Sequence, residues 1–374
     1  MADDRNTFLA LFEERLADFT RMSRTAGSRS DYVQGGGGNT SCKLDDQLMA
    51  IKASGFRLDQ IAPDNAYAVL DYSKLQSFYR QTDPTTLPDI EKAGSAQTKE
   101  AAVPVEGLPV LRPSVEAGFH SLLSTYVLHT HPVYANLVTC ASEGPELASR
   151  IMSDLNETFA FVPYINPGAQ LTFEIDAARK KAADSSGMQP SVVFMQNHGL
   201  IATADDADTC LLLHERVNTA AASFFGVSEK DWPSISVTAA PGDESASKWQ
   251  SATSWLKARL LDTVWDLDLF TVQALYPDQL VFLAGQMDVV ETGTLTQNTE
   301  ALAAKAVIFR QTGEILYQCS QNEAQTIEET LCAILFITKT IKSAGYNVNT
   351  MNEAGKQFIS NWESEQYRKS MAAK

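Results

Sequence analysis

No apolar stretch in this 374-residue chain approaches the roughly 18 residues that a membrane-spanning helix requires, so an integral membrane protein is not expected. Basic residues are outnumbered, 30 against 46 acidic ones. The resulting formal charge of −16 excludes the broad cationic surface that nucleic acid or anionic lipid demands. A small phosphorylated substrate stays open, because it needs only a local pocket. The opening Met-Ala-Asp-Asp-Arg lacks the basic and apolar regions of a secretory signal, and a cytoplasmic protein is expected. Cysteine is sparse as well. Cys42, Cys140, Cys210, Cys319 and Cys332 are scattered, odd in number and without Cys-x-x-Cys spacing, which points to reduced thiols. After residue 226 no Gly-rich loop follows a strand, so no nucleotide-binding unit is expected there.

Histidine is scarce too, and its placement carries the information. There are five, all between residues 120 and 214. His129 and His131 lie in Val127-Leu-His-Thr-His-Pro132, and residues 125–131 read as a strand that stops at the proline. Alternate strand residues share a face, so the two imidazoles point the same way. His198, in Met195-Gln-Asn-His-Gly199, offers a third nitrogen from a turn. Three such ligands with a coordination position left open are the layout of a catalytic rather than a structural metal site. A His-x-His pair also arises by chance on a half-exposed strand, and Glu116 shifts that balance. It opens a helical run over 117–124, and a carboxylate beside a metal can ligate it or move protons. His214, inside a long helix, and His120, four residues after Glu116, read as packing or hydrogen-bonding residues.

The run Gly35 to Gly38 before Asn39 is either a flexible turn or a phosphate cradle. Ser54-Gly55 after the next strand favours the cradle, because amides and hydroxyls at strand ends can hold a phosphate. Lys52 and Lys43 are available as charge, with surface exposure as the default reading for each.

Taken in order, Pro113-Ser-Val-Glu116, His129-Thr-His131-Pro132 and Asn197-His-Gly-Leu200 resemble the signature of the class II aldolase/adducin family. Gly36-Gly-Gly-Asn-Thr-Ser41 and Lys52-Ala-Ser-Gly55 also fit its pattern. The likeness spans residues 5–226 and is nearest to the aldolase part of rhamnulose-1-phosphate-aldolase-like proteins, without the dehydrogenase domain that some of them carry. The resemblance implies an α/β fold: a three-layer α/β/α domain with a central, mostly antiparallel sheet. It implies Zn²⁺, or another divalent transition metal, on His129, His131 and His198, with Glu116 as catalytic acid/base in a dry pocket that raises its pKa. Asn39, Ser54, Gly55 and Ser114 would face the substrate phosphate. Val115 departs from the pattern, since sugar-phosphate aldolases of the family carry a second serine there. A differently placed phosphate or an unphosphorylated acid group therefore stays open.

The implied activity is an aldolase-type lyase that cleaves a ketose phosphate or related sugar derivative through a metal-stabilised enediolate. Sugar-acid phosphate decarboxylases, a pentulose-phosphate epimerase and a dehydratase share the signature. Adducin-like members are non-catalytic and lack the metal histidines. The family also implies a homo-oligomer, tetramer favoured, with a tyrosine proton donor from a neighbouring subunit. Tyr164 lies near the right stretch but reads as structural.

Punctuation divides the chain into a catalytic domain at 1–228, a Ser-, Ala- and Pro-containing linker at 229–250 and a smaller α/β domain at 251–374. Paired strands over 39–44 and 48–53 are joined by an Asp-Asp turn. Residues 81–113 read as a long loop, either covering the site or lying on the surface. In the C-terminal part a strand is expected at 279–284, a hairpin at 306–318 and helices at 324–343 and 352–368. With no histidine, this part is expected to serve oligomer contact or to shape substrate access.

Overall fold

The computed structural model describes residues 4–242, 247–295 and 303–361. Seven strands form the larger sheet: β1 Asn39–Lys43, β2 Leu48–Lys52, β3 Tyr67–Asp71, β4 Tyr126–Thr130, β5 Phe159–Val162, β6 Val192–Met195 and β7 Gly199–Ala204. Their order is β3-β2-β1-β4-β7-β6-β5. All neighbours are antiparallel except β5 and β6, which are parallel and joined through the helix Ala169–Ser186. The β1–β2 hairpin closes through Asp45, whose carboxylate accepts the backbone N–H of Gln47 at 2.8 Å and of Leu48 at 2.6 Å.

Strand alternation sorts β4 between two helical layers. Tyr126 and Leu128 join the core formed with the helices Glu13–Gly27, Val133–Thr139 and Ala207–Phe224. Val127 points to the opposite layer, where it packs with Phe119 of the helix Ala117–Leu122 and Leu171 of the helix Ala169–Ser186. The sheet is thus covered on both faces, and the three-layer α/β/α expectation holds. His129 and His131 share the face of Val127, the one on which Glu116 begins its helix.

A second, five-stranded sheet has the order β10-β11-β12-β9-β8, from β8 Val237–Ala239, β9 Trp249–Ser251, β10 Met287–Val290, β11 Ala306–Phe309 and β12 Glu314–Tyr317. The expected hairpin is β11–β12. The helix Gln321–Ser343 starts at Ser320, whose hydroxyl accepts the Glu323 N–H. It packs on both Val133–Thr139 and Pro277–Leu283, so one apolar core runs through the two units.

Three expectations need correction. Residues 279–284 are not a strand: Pro277–Leu283 is a helix, with Pro277 in its first turn, where proline's fixed φ is already helical. The expected loop at 81–113 contains the helix Ile90–Glu100, capped by Asp89 through the Lys92 N–H. That helix packs on Ala169–Ser186, where the Glu91 carboxylate accepts the N–H groups of Ala169 and Gln170 at 2.8 and 2.9 Å. The stretch 229–250 carries β8 and the first two residues of β9, which place it in the second sheet. The helix expected at 352–368 is seen as Glu353–Asn361, and residues 362–368 lie outside the described residues. Among the described residues no helix is long and apolar enough to cross a membrane.

Candidate metal centre

The site is built where β4 ends and the β6–β7 turn meets it. β4 pairs with β1 on one side, Asn39 opposite His129, and with β7 on the other, Ile201 opposite His129. The β6–β7 turn is tight, with Asn197 in the left-handed region at φ 51°. Its side chain is held from outside the sheet: Nδ2 donates to the carbonyls of Leu275 and Asn349, and Oδ1 accepts from Asn349 Nδ2. Gly199 follows because nothing larger fits. A Cβ there would lie 2.3 Å from the Thr130 carbonyl oxygen and 3.0 Å from the His131 ring.

His129, His131 and His198 are all buried, and their ring centroids are 5.0 to 5.1 Å apart. Among the described residues they are the group of metal-capable side chains whose ligand atoms converge within 4.8 Å. The outer nitrogens set the tautomers. His129 Nδ1 is 3.0 Å from the Leu200 carbonyl oxygen, and His131 Nδ1 is 2.5 Å from Asp278 Oδ2. Both partners are acceptors, so each Nδ1 carries the proton and each Nε2 offers a lone pair. Those two Nε2 atoms face each other at 3.2 Å. Two lone pairs at that separation repel, and a shared cation resolves the repulsion. Burial holds His129 well below its ordinary pKa, reinforced by His131 and His198, which keeps the ring in its neutral, ligating form. The donor set therefore fits a divalent cation.

Glu116 closes the arrangement. Its carboxylate lies 3.4 Å from His198 Nε2 and 3.7 Å from His129 Nε2 and is buried. Asn39 Nδ2 donates to it, and the Ser114 hydroxyl accepts the Glu116 N–H at 3.2 Å. The expected substrate-facing residues Asn39, Ser54, Gly55 and Ser114 line one cleft with Glu116, His131 and His198. Three of them are also engaged locally: Asn39 steadies Glu116, Ser114 accepts the Glu116 N–H, and Ser54 Oγ donates to the Pro113 carbonyl. Val115 lines the same cleft. So does Lys52, which is buried with Nζ 2.7 Å from the Phe56 carbonyl oxygen. Lys43 sits elsewhere, its Nζ on the Leu123 carbonyl and the Tyr72 ring, and desolvation lowers its pKa to about 8.

The remaining histidines are core residues. His120 Nδ1 meets Ser41 Oγ at 2.7 Å on the sheet face that carries the site, and His214 Nε2 meets Thr130 Oγ1 at 2.6 Å, bracing β4 from the opposite face. Burial pushes each down to about 3. Tyr164 packs closely against Gly355. Sequence reasoning missed Asp278, and Pro277 beside it on the cleft wall. Asp278 lies 147 positions from its partner, just ahead of the run expected as a strand, and no local spacing ties it to His131.

The class II aldolase domain of a Thermoplasma acidophilum protein is 21% identical, covers 57% of this chain and 94% of its own, and superposes with a TM-score of 0.47. An aldolase II superfamily protein from Pseudomonas syringae is 16% identical, over 57% of this chain and 74% of its own, with a TM-score of 0.40. An L-fuculose 1-phosphate aldolase is 18% identical, over 58% and 92%, with a TM-score of 0.37. No curated protein matches the chain. The sequence model of the class II aldolase and adducin N-terminal domain matches residues 17–224, more than half of the chain, and the chain belongs to that family.

Proposed function

We propose that this chain is a divalent-metal-dependent lyase of the aldolase type, acting on a ketose phosphate or a related sugar derivative. His129, His131 and His198 would hold the cation, and zinc suits a set of three neutral imidazoles. When bound, it would supply Lewis acidity toward the hydroxyl and carbonyl oxygens of the substrate. The observation that carries the reading is the convergence of the His131 and His129 Nε2 atoms to 3.2 Å beside His198, with a buried carboxylate 3.4 to 3.7 Å from two of the three rings.

Glu116 is the proton carrier in this reading. Its carboxylate is fixed by Asn39 and takes up, then returns, the proton at the carbon next to the substrate carbonyl. The buried Lys52 ammonium, with Ser54 and Gly55 beside it, supplies a cationic end to the cleft for an anionic group. Residues 1–228 carry the chemistry, and 251–374 shape the cleft. Assembly into a homo-oligomer, with tetramer favoured, belongs to the same reading.

Val115 favours keeping a second reading. With no second hydroxyl there, a sugar-acid phosphate decarboxylase, an epimerase or a dehydratase stands beside the aldolase. The test is exchange of the hydroxymethyl proton of dihydroxyacetone phosphate in D₂O, followed by proton NMR on zinc-loaded protein. Exchange that vanishes in Glu116→Gln supports the aldolase half-reaction. Metal-loaded protein that gives none points to the second reading.

A further inference from the structure

The C-terminal unit carries no histidine, yet it places a carboxylate on a ligand of the candidate metal centre. Asp278 is fully buried, and its Oδ2 accepts the Nδ1–H of His131 at 2.5 Å. On the inner edge of the same ring, Nε2 faces the other imidazoles. The ring is therefore held by its outer nitrogen and offers its inner one.

Three further observations indicate that the contact is built in. The segment that bears Asp278 is fixed on each side. Leu275 gives its carbonyl to Asn197 and its N–H to the Gln279 side chain at 2.8 Å, and Tyr276 Oη donates to Gln34 Oε1 at 3.2 Å. The glycine run leaves room for the pair: a Cβ on Gly37 would lie 2.3 Å from Asp278 Oδ2 and 3.1 Å from His131 Nδ1. The neighbouring His129 satisfies the same need with a neutral backbone carbonyl from its own sheet, so orientation alone does not require a charge. A carboxylate at His131 adds negative charge behind one ligand, which raises the donor strength of its Nε2.

We propose that Asp278 is a positioning residue of the metal centre, supplied by the C-terminal unit to fix the His131 ring and strengthen it as a ligand. This rests on the metal reading above, and the test separates the two. Full-length wild type, Asp278→Asn, Asp278→Ala and His131→Ala would be titrated with zinc against a chromophoric chelator, and each would be loaded with Co²⁺ for its visible spectrum.

Asp278→Asn keeps an acceptor for Nδ1–H and loses the charge. The expected result is a 10- to 100-fold weaker zinc affinity with shifted Co²⁺ bands, Asp278→Ala at or beyond that range and His131→Ala without bound metal. A purely structural role would lower the melting temperature of the folded variants and leave affinity and bands unchanged. Wild-type affinity and bands in folded Asp278→Asn, with metal lost in His131→Ala, would overturn the proposal and leave the metal reading standing. Wild type that binds no zinc would overturn both.

Discussion

The N-terminal sheet and the C-terminal unit contribute to the same cleft by different means. The sheet and the helix on its face place the candidate reactive side chains, and they come in short motifs: His129 and His131 two apart at the end of β4, His198 in one turn, Glu116 at one helix start. The C-terminal unit supplies constraint. Asp278 holds an imidazole, the carbonyls of Leu275 and Asn349 hold the Asn197 turn, and Glu329 accepts the Gly35 N–H at 2.9 Å. Strand and turn periodicity can place ligands on one face, because that needs only local geometry. Supporting residues are chosen by proximity in the folded chain and carry no spacing of their own.

The sharpest way to break this contrast is to remove a ligand. His129→Ala should lose the bound metal altogether while the fold persists, checked by metal analysis and circular dichroism. Full metal content would show that the sheet does not hold the ion. Next in size, Glu116→Gln should keep the metal and lose turnover by about 10³-fold or more. A variant within tenfold of wild type would end its assignment as proton carrier.

Acid should act on the N-terminal core, where the buried histidines lie. His120 and His214 have folded-state pKa values of about 3, below the usual value of 6.5, so the unfolded chain takes up protons first. Their contribution is intact above pH 6.5, and stability then falls toward pH 3 by about 1.4 kcal/mol per pH unit for each ring. Urea midpoints across that range should drop less steeply in His214→Asn. An unchanged slope would show that this ring is already protonated or does not titrate.

The smallest effect concerns the cleft wall. Val115→Ser restores a hydroxyl and should lower KM for a phosphorylated substrate by roughly three- to tenfold, the net value of one ordinary hydrogen bond. No change would mean that the anion binds away from residue 115, toward Lys52.

How much of this was legible in the sequence follows the same division. The β1–β2 hairpin and β4 with its shared histidine face could be read, because strand-type residues and turn residues encode them locally, whereas the α/β/α layering came only with the family resemblance. The helix Pro277–Leu283 could not. The short apolar run over residues 280–284 suits a buried strand and a buried helix equally, and burial on every side removes the periodicity that separates them. Asp89 offered a cap for the helix Ile90–Glu100, but the small and polar residues that follow gave too weak an apolar stripe to reveal it. β8 and β9 are three residues each and half-exposed, so their composition resembles that of a linker. Of the site, Glu116 and the three histidines were legible, whereas Asp278 depended on packing between the two units.

Anomalous diffraction from crystals of the full chain grown with zinc, recorded on both sides of the zinc edge, tests the central claim most directly. The account predicts one strong peak about 2.0 to 2.1 Å from Nε2 of His129, His131 and His198, with Asp278 behind the His131 ring and off the metal. A peak elsewhere, or an ion bound directly by Asp278 in place of His131, would contradict it.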